Sequence, residues 1–310
     1  MPIKRVAENL RLPVHETDTF TGWKPPRPQD EPINLVIAVS FGLLVPPRIL
    51  NGAKYGGLNV HPSLLPDLRG PAPIHHTLLQ GRKTTGITLQ TLHPMHFDQG
   101  MILAQTPALD IPAPDGCTPE LLTYHLAPLG GRLLVHSLRN RLFVPPLEDA
   151  GWCAKEAPKQ PCYAPKITKE DRHLVWTTPL AEPEKPAGNK PAFACTAEQI
   201  LRRDRVLGNL WDTTTYHSLV PGERNPKRVV FHGWDAIRSG DPLFESLRPR
   251  PSEELVPGTP YVNTTDVVPR LYFRTHDEYP MLVRVRSCTV EGGNKGAGVA
   301  EMVAARKRNR

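Results

Sequence analysis

Proline occupies 36 of 310 positions, more than twice the usual share of about 5%. Each proline locks φ and removes a backbone N–H, so proline-dense segments are closed to helix interiors and central strands. Regular structure must fit in the gaps. Residues 17–32, with Pro25, Pro26, Pro28 and Pro32, read as a loop or insertion, and residues 155–168, with Pro158, Pro161 and Pro165, as an irregular linker. Residues 179–191, rich in Pro, Glu and Lys, read as a disordered tract.

The gaps carry periodicity. Val6, Leu10 and Leu12 between charges predict a short helix over 2–16. Residues 35–39 are a continuous apolar run, the pattern of a strand covered on both faces, and Ser40-Phe41-Gly42 turns off its carboxyl end. A helix over 46–52, a strand over 58–61, a helix over 73–80 stopped by Gly81, and strands over 85–92 and 101–106 follow. Leu122, Leu126, Leu129 and Leu133 recur at helical spacing over 118–140, where Pro128 and Gly130-Gly131 predict a kink or break. Helices alternating with strands in this way point to an α/β sheet. A strand over 171–176 then leads to a region of different texture. It has a basic helix over 196–209, β-like pieces over 227–234, 259–262, 270–275 and 282–289, a helix over 299–305, and a flexible cationic tail.

Hydrophobic residues at 39% and charged residues at 22% lie in the globular range. An excess of 38 Lys and Arg over 31 Asp and Glu gives +7, which suits a polyanionic partner. The five cysteines, Cys117, Cys153, Cys162, Cys195 and Cys288, show neither a C-x-x-C pair nor tight spacing, which argues against a zinc site or a disulfide framework. No run approaches the length that crosses a bilayer as a helix, and no apolar signal segment follows Met1.

The stretch 57–70, GLNVHPSLLPDLRG, organises the first region. Leu58 and Val60 alternate with Asn59 and His61, so the two polar side chains leave the strand on one face. Pro62 disfavours helical geometry at His61, and Pro66 stiffens the far side of the loop. Two readings stand: a strand with a buried asparagine and a satisfied core histidine, or a braced amide and imidazole set for chemistry. Downstream, His93-x-x-His96-x-Asp98 offers three metal-ligand residue types without a standard ligand signature; the competing reading is a loop that delivers Asp98 opposite His61. Ser63 lacks the glycine elbow of a serine nucleophile.

Asn59-Val-His61-Pro-Ser-Leu-Leu-Pro66, then Arg69-Gly70-x-Ala-Pro, then Phe97-Asp98-Gln-Gly100, resembles the formyltransferases that use 10-formyltetrahydrofolate. Pro71-Ala-Pro-Ile74 and the approach Val36-Ile-Ala-Val-Ser-Phe-Gly-Leu-Leu-Val-Pro46 are most similar to the members that act on methionyl-tRNA. The resemblance is concentrated between Asn34 and Ala108. It implies a Rossmann-like α/β formyltransferase domain over 1–150, amino-terminally incomplete, then a linker and lead-in over 151–178 and a disordered insertion over 179–195. A small OB-like β-barrel that holds tRNA would occupy 196–310. Two βα units and a basic loop would precede the segment matching residues 4–15, so the sheet would keep an apolar, unpaired edge.

For the site, the resemblance implies catalysis by Asn59, His61 and Asp98, and no metal. The co-substrate 10-formyltetrahydrofolate would lie against Ser40, Phe41, Gly42, Leu43, Ser63, Leu64, Leu65 and Pro66. The partner would be initiator methionyl-tRNA, met by Arg69, Lys166, Arg202 and Arg203, although Arg69 also fits a surface ion pair and Lys166 a solvated linker. Arg202, Arg203 and Arg205 offer a phosphate-facing patch, although an arginine-rich helix face is usually just solvated. A monomer in the mitochondrial matrix, off the membrane, is the matching setting. Two other readings are a sister formyltransferase acting on a small amine, and a non-catalytic remnant that binds RNA.

Overall fold

A computed structural model describes residues 2–151, 161–176, 195–223, 225–237, 240, 244, 257–264, 268–277 and 281–309. The tract 179–191 lies outside the described residues. The chain forms two compact units. One comprises Met1–Pro73, Thr84–Asp110 and Tyr124–Ala164; the other comprises Ile74–Lys83, Ile111–Thr123 and Pro165–Arg310.

The first unit is built on a four-stranded sheet in the order β1 (Val36–Val39), β2 (Gly57–His61), β4 (Thr88–Thr91), β5 (Ile102–Gln105). β1 and β2 are parallel, with Val39 beside Val60, while β4 runs antiparallel to both of its neighbours, β2 and β5. Both the turn after β1 and the loop after β2 therefore leave from the carboxyl ends of neighbouring parallel strands, where open α/β sheets bind ligands. Among the described residues β1 is the sheet's edge strand, and it exposes Ile37 and Val39. Helix α1 (Pro2–Asn9) is shorter than the periodicity suggested, and Ile3 and Val6 face solvent. Short strands β3 (Thr84–Thr85) and β6 (Leu109–Asp110) pair with each other.

Leu58, Leu89 and Leu103 form the core of this sheet, covered by Leu133, Leu134 and Leu138. Burying a leucine side chain contributes about 2 kcal/mol. Helix α2 (Pro47–Leu50) adds a satellite cluster of Val45, Ile49 and Leu50 packed by Phe20 and Trp23. Part of the proline-rich segment 17–32 is thus docked: Arg48 donates hydrogen bonds to the carbonyls of Trp23 and Phe20.

Helix α3 spans Pro73–Leu79, and α4 runs from Pro119 to Arg139 with Pro128 inside it, so the expected break into two helices does not occur. Pro128 sits on the exposed side, so the carbonyl that loses its donor faces water. Gly130 serves another purpose. A Cβ there would stand 3.1 Å from Val60 Cγ1, so its absence lets the helix approach the sheet closely.

In the second unit, α5 (Ala197–Leu207) is capped by Thr196, whose hydroxyl accepts from Gln199 N–H, and ends at Gly208 with φ +64°. Strands β7 (Trp211–Asp212), β8 (Val229–Phe231), β9 (Trp234–Ile237), β10 (Pro260–Asn263), β11 (Arg270–Arg274), β12 (Leu282–Val285) and β13 (Cys288–Val290) form two sheets, β10-β11-β12-β9 and β13-β8-β7. Helices α6 (Thr214–Leu219) and α7 (Gly298–Arg308) complete the unit. α7 takes in Arg306, Lys307 and Arg308, expected as a flexible tail; cations at a helix carboxyl end are favourable.

The expected barrel is not seen: among the described residues no sheet closes on itself. Instead β8 passes into β9 across His232-Gly233, and β12 into β13 across Arg286-Ser287. Hydrogen bonds from His232 N–H to Ser287 O and from Arg286 N–H to Gly233 O tie the two corners together. Strands that switch sheets at corners wrap a shared core. Here Trp176 stacks on Phe273 at 4.4 Å, and Phe231, Trp234 and Val283 fill the space around them.

The strand expected over 171–176 is replaced by a 3-10 turn, Glu170–Arg172, and a single pairing of His173 with Trp211. The reason is Arg203, whose Nη2 donates to the carbonyls of Asp171 at 2.7 Å and His173 at 2.8 Å. Arg203 is only 3% exposed, so a phosphate has no access to it, contrary to the phosphate-facing role given it above. Arg203→Ala is expected to lose about 3 kcal/mol in urea unfolding by leaving these carbonyls without their charged donor. Unchanged stability with weakened RNA binding would reverse that assignment.

Candidate active site

β2 delivers Asn59 and His61 to one face, as its alternation indicated. Across the sheet, Gln90 on β4 lies directly opposite Asn59, so their side chains share that face. Asp98 reaches them from the connection between β4 and β5, with φ +53°, a left-handed conformation that costs about 1 kcal/mol or more in a non-glycine residue.

Asp98 is where the groups meet. Its Oδ1 accepts from Asn59 Nδ2 at 3.0 Å and from Gln90 Nε2 at 3.0 Å, and lies 3.4 Å from His61 Nδ1. Its Oδ2 accepts from Gly70 N–H at 2.9 Å. Gln90 in turn accepts from Gly100 N–H at 3.2 Å through Oε1, which fixes the loop on both sides of Asp98. The carboxylate is 8% exposed, so it is held in a site with little water.

His61 is 5% exposed. Nε2 lies 2.9 Å from the Leu68 carbonyl, an acceptor, so it carries a hydrogen. Burial lowers the basicity of the ring below the ordinary histidine range, while Asp98 and the Leu68 hydrogen bond act in the opposite sense. The resting ring is therefore neutral, with its proton on Nε2 and its lone pair on Nδ1. Once protonated, it has an acceptor at each nitrogen.

Of the residues expected at the folate, Ser40 has φ +49° and is exposed together with Phe41, Gly42 and Leu43. Ser63 and Leu65 turn inward. Ser63 Oγ donates to Asp67 O at 2.7 Å, and Leu65 N–H donates to Thr88 Oγ1 at 3.0 Å. Leu64 and Pro66 are half-buried. Arg69 is half-buried, and its Nε has no hydrogen-bond partner among the described residues.

In the second unit Lys166 is exposed. The Arg202 side chain, 12% exposed, pairs with Glu198 and covers Gly81, where a Cβ would meet its guanidinium at 2.7 Å. The His93-His96-Asp98 spacing does not assemble: His93 and His96 stack on each other at 5.0 Å, His93 Nδ1 accepts from the N–H groups of Met95 and His96, and Asp98 points to Asn59 and Gln90.

Sequence reasoning missed Gln90, the Leu68 carbonyl and the Gly70 amide. Gln90 was visible as a polar position in an alternating strand, but its register against Asn59 was not. The other two are backbone groups, which no side-chain pattern marks.

Against known proteins, residues 29–138 match the Formyl transferase family. The mitochondrial methionyl-tRNA formyltransferase of Saccharomyces cerevisiae is 37% identical over 270 residues, covering 76% of this chain and 62% of that one. The mitochondrial methionyl-tRNA formyltransferase of Homo sapiens is 32% identical over 211 residues, covering 68% of this chain and 46% of that one. HypX from Aquifex aeolicus, solved in complex with tetrahydrofolic acid, aligns with a TM-score of 0.48 at 15% identity, over 87% of this chain and 39% of that one. The chain thus spans between about half and three-fifths of the length of these two curated relatives. Residues 29–138, the segment that holds Asn59, His61 and Asp98, thus match the formyl transferase family.

Proposed function

We propose that the chain transfers a formyl group from 10-formyltetrahydrofolate to the α-amine of methionyl-tRNA, in mitochondria and within the matrix, as a monomer. The observation that carries this reading is the convergence of Asn59 and His61 on Asp98. The exposed turn of Ser40, Phe41, Gly42 and Leu43 fits a flat heterocycle, because it offers apolar side chains beside uncovered backbone at the carboxyl end of a parallel strand. The folate supplies the carbonyl carbon that the amine attacks.

The remaining chemistry falls to the protein. Asn59 uses one amide hydrogen on Asp98, which leaves the second to stabilise negative charge developing on the formyl oxygen. His61, neutral at rest, would accept the proton from the attacking nitrogen at Nδ1. The imidazolium so formed is stabilised by Asp98 Oδ1 and the Leu68 carbonyl. The tetrahedral centre would then collapse with cleavage of the bond between the formyl carbon and N10 of the folate, and tetrahydrofolate would leave as its N10 takes a proton from the imidazolium, returning His61 to neutral. No covalent intermediate on the protein is required. Arg69, half-buried, and Lys166, exposed, are the basic groups assigned to the nucleic acid. Arg202 contributes only through the uncovered eighth of its side chain, and the β-rich second unit holds the tRNA.

The test is mass-spectrometric detection of formyl-methionine on tRNA incubated with the purified chain and 10-formyltetrahydrofolate, with glycinamide ribonucleotide and an amino sugar as competing acceptors. Product on methionyl-tRNA alone supports the reading. Product on a small amine only, or RNA binding without turnover, would replace it.

A further inference from the structure

The loop over 67–72 lends two backbone groups to the active site, and a distant segment holds that loop in place. Leu68 N–H donates to Cys162 O at 2.8 Å, Ala164 N–H to Arg69 O at 2.7 Å and Ala72 N–H to Ala164 O at 3.2 Å. Asp67, 5% exposed, adds a side-chain tie: its Oδ1 accepts from Cys162 N–H at 2.9 Å, although the two residues are 95 positions apart. Residues 162–164 thus lie along the loop as a strap, with Tyr163 paired in parallel to Arg69. Gly70, at φ +115°, is the point of closest approach, since a Cβ there would be 2.5 Å from Ala164 O.

The strapped loop supplies the Leu68 carbonyl to His61 Nε2 and the Gly70 amide to Asp98 Oδ2, both at 2.9 Å. The two tautomers of a neutral imidazole differ little in energy, so the neighbours decide between them. Asp98, the titratable group facing the ring from the β4–β5 connection, favours a proton on Nδ1 across 3.4 Å. Leu68 O favours one on Nε2 across 2.9 Å. A retreat of the loop by a few tenths of an ångström would reverse the balance, because hydrogen bonds weaken beyond about 3.2 Å.

We propose that Asp67 is a positioning residue: by tying the strap to the loop, it keeps the proton of His61 on Nε2 and leaves Nδ1 free to accept another. The consequence for rate rests on the formyl-transfer reading above, but the tautomer does not, and it can be measured without turnover.

Imidazole 15N shifts of the full chain at pH 8, with His61 assigned by His61→Gln, report the proton directly. Wild type and Asp67→Asn, which keeps an oxygen acceptor for Cys162 N–H, are expected to show a protonated Nε2 and an unprotonated Nδ1. Asp67→Ala is expected to move the proton to Nδ1 or average it between the two. Ala164→Pro, which deletes the N–H bonded to Arg69 O, should shift it the same way and carries the test if Asp67→Ala fails to fold. In formylation, Asp67→Ala should lose about tenfold in kcat, restored by Asp67→Asn. A wild-type His61 protonated on Nδ1, or folded variants with an unchanged Nε2 proton, would overturn the proposal. A chain with the expected tautomers but no formylation would count against the activity alone.

Discussion

Asp98→Asn is expected to lower single-turnover formyl transfer by about 10³-fold while the chain stays folded. An asparagine has one acceptor oxygen and one NH2 group where Asp98 has two acceptors. If its oxygen faces Asn59 and Gln90, its NH2 meets the Gly70 amide, donor against donor. If it is flipped, it opposes both side-chain amides instead. Either way the imidazolium of His61 loses its counter-charge, and this loss falls on the proton-transfer step rather than on binding. Rapid-quench formylation of methionyl-tRNA checks the outcome. A rate within about threefold of wild type would remove Asp98 from the chemistry.

Gly100→Ala is expected to be nearly as damaging by a different route. A Cβ at Gly100 would sit 1.7 Å from the Thr91 carbonyl oxygen, and a backbone atom cannot swing aside. The loop must move, taking with it the Gly100 N–H that anchors Gln90 and, two residues back, Asp98. A loss of about 3 kcal/mol or more in urea unfolding is expected, with formylation falling in step. Gly131 is the control. Nothing lies within 4 Å of a Cβ there, and it sits inside α4, so Gly131→Ala should raise stability by about 0.5–1 kcal/mol. Equal effects at the two glycines would show that the crowding at Gly100 is not real.

What the sequence made legible follows from the range over which each feature acts. The strand carrying Asn59 and His61 was readable because alternation is local, and Asp98 because it belongs to a recognisable motif. The continuity of α4 was not, since the meaning of Pro128 depends on which side faces water and that of Gly130 on the strand beneath it. Arg203 was misread for a different reason. Helical spacing puts it on the same side as Ile200 and Leu207, which are buried, but its charge outweighed its position in the reading. The strap depends on residues 95 positions apart and on backbone groups, and neither periodicity nor composition encodes such a contact. The corners that divide the second unit's strands between two sheets lie at His232-Gly233 and Arg286-Ser287, where only one glycine breaks the strand pattern.

The central claim is that His61 and Asp98 act as one proton-handling unit, and a double-mutant cycle tests it most directly. Single-turnover formylation would be measured for wild type, His61→Gln, Asp98→Asn and the double variant. The account predicts that the double variant is no slower than the worse single variant by more than about threefold, because either change alone already disables the pair. Losses that multiply, leaving the double variant slower by the product of the two single effects, would contradict it.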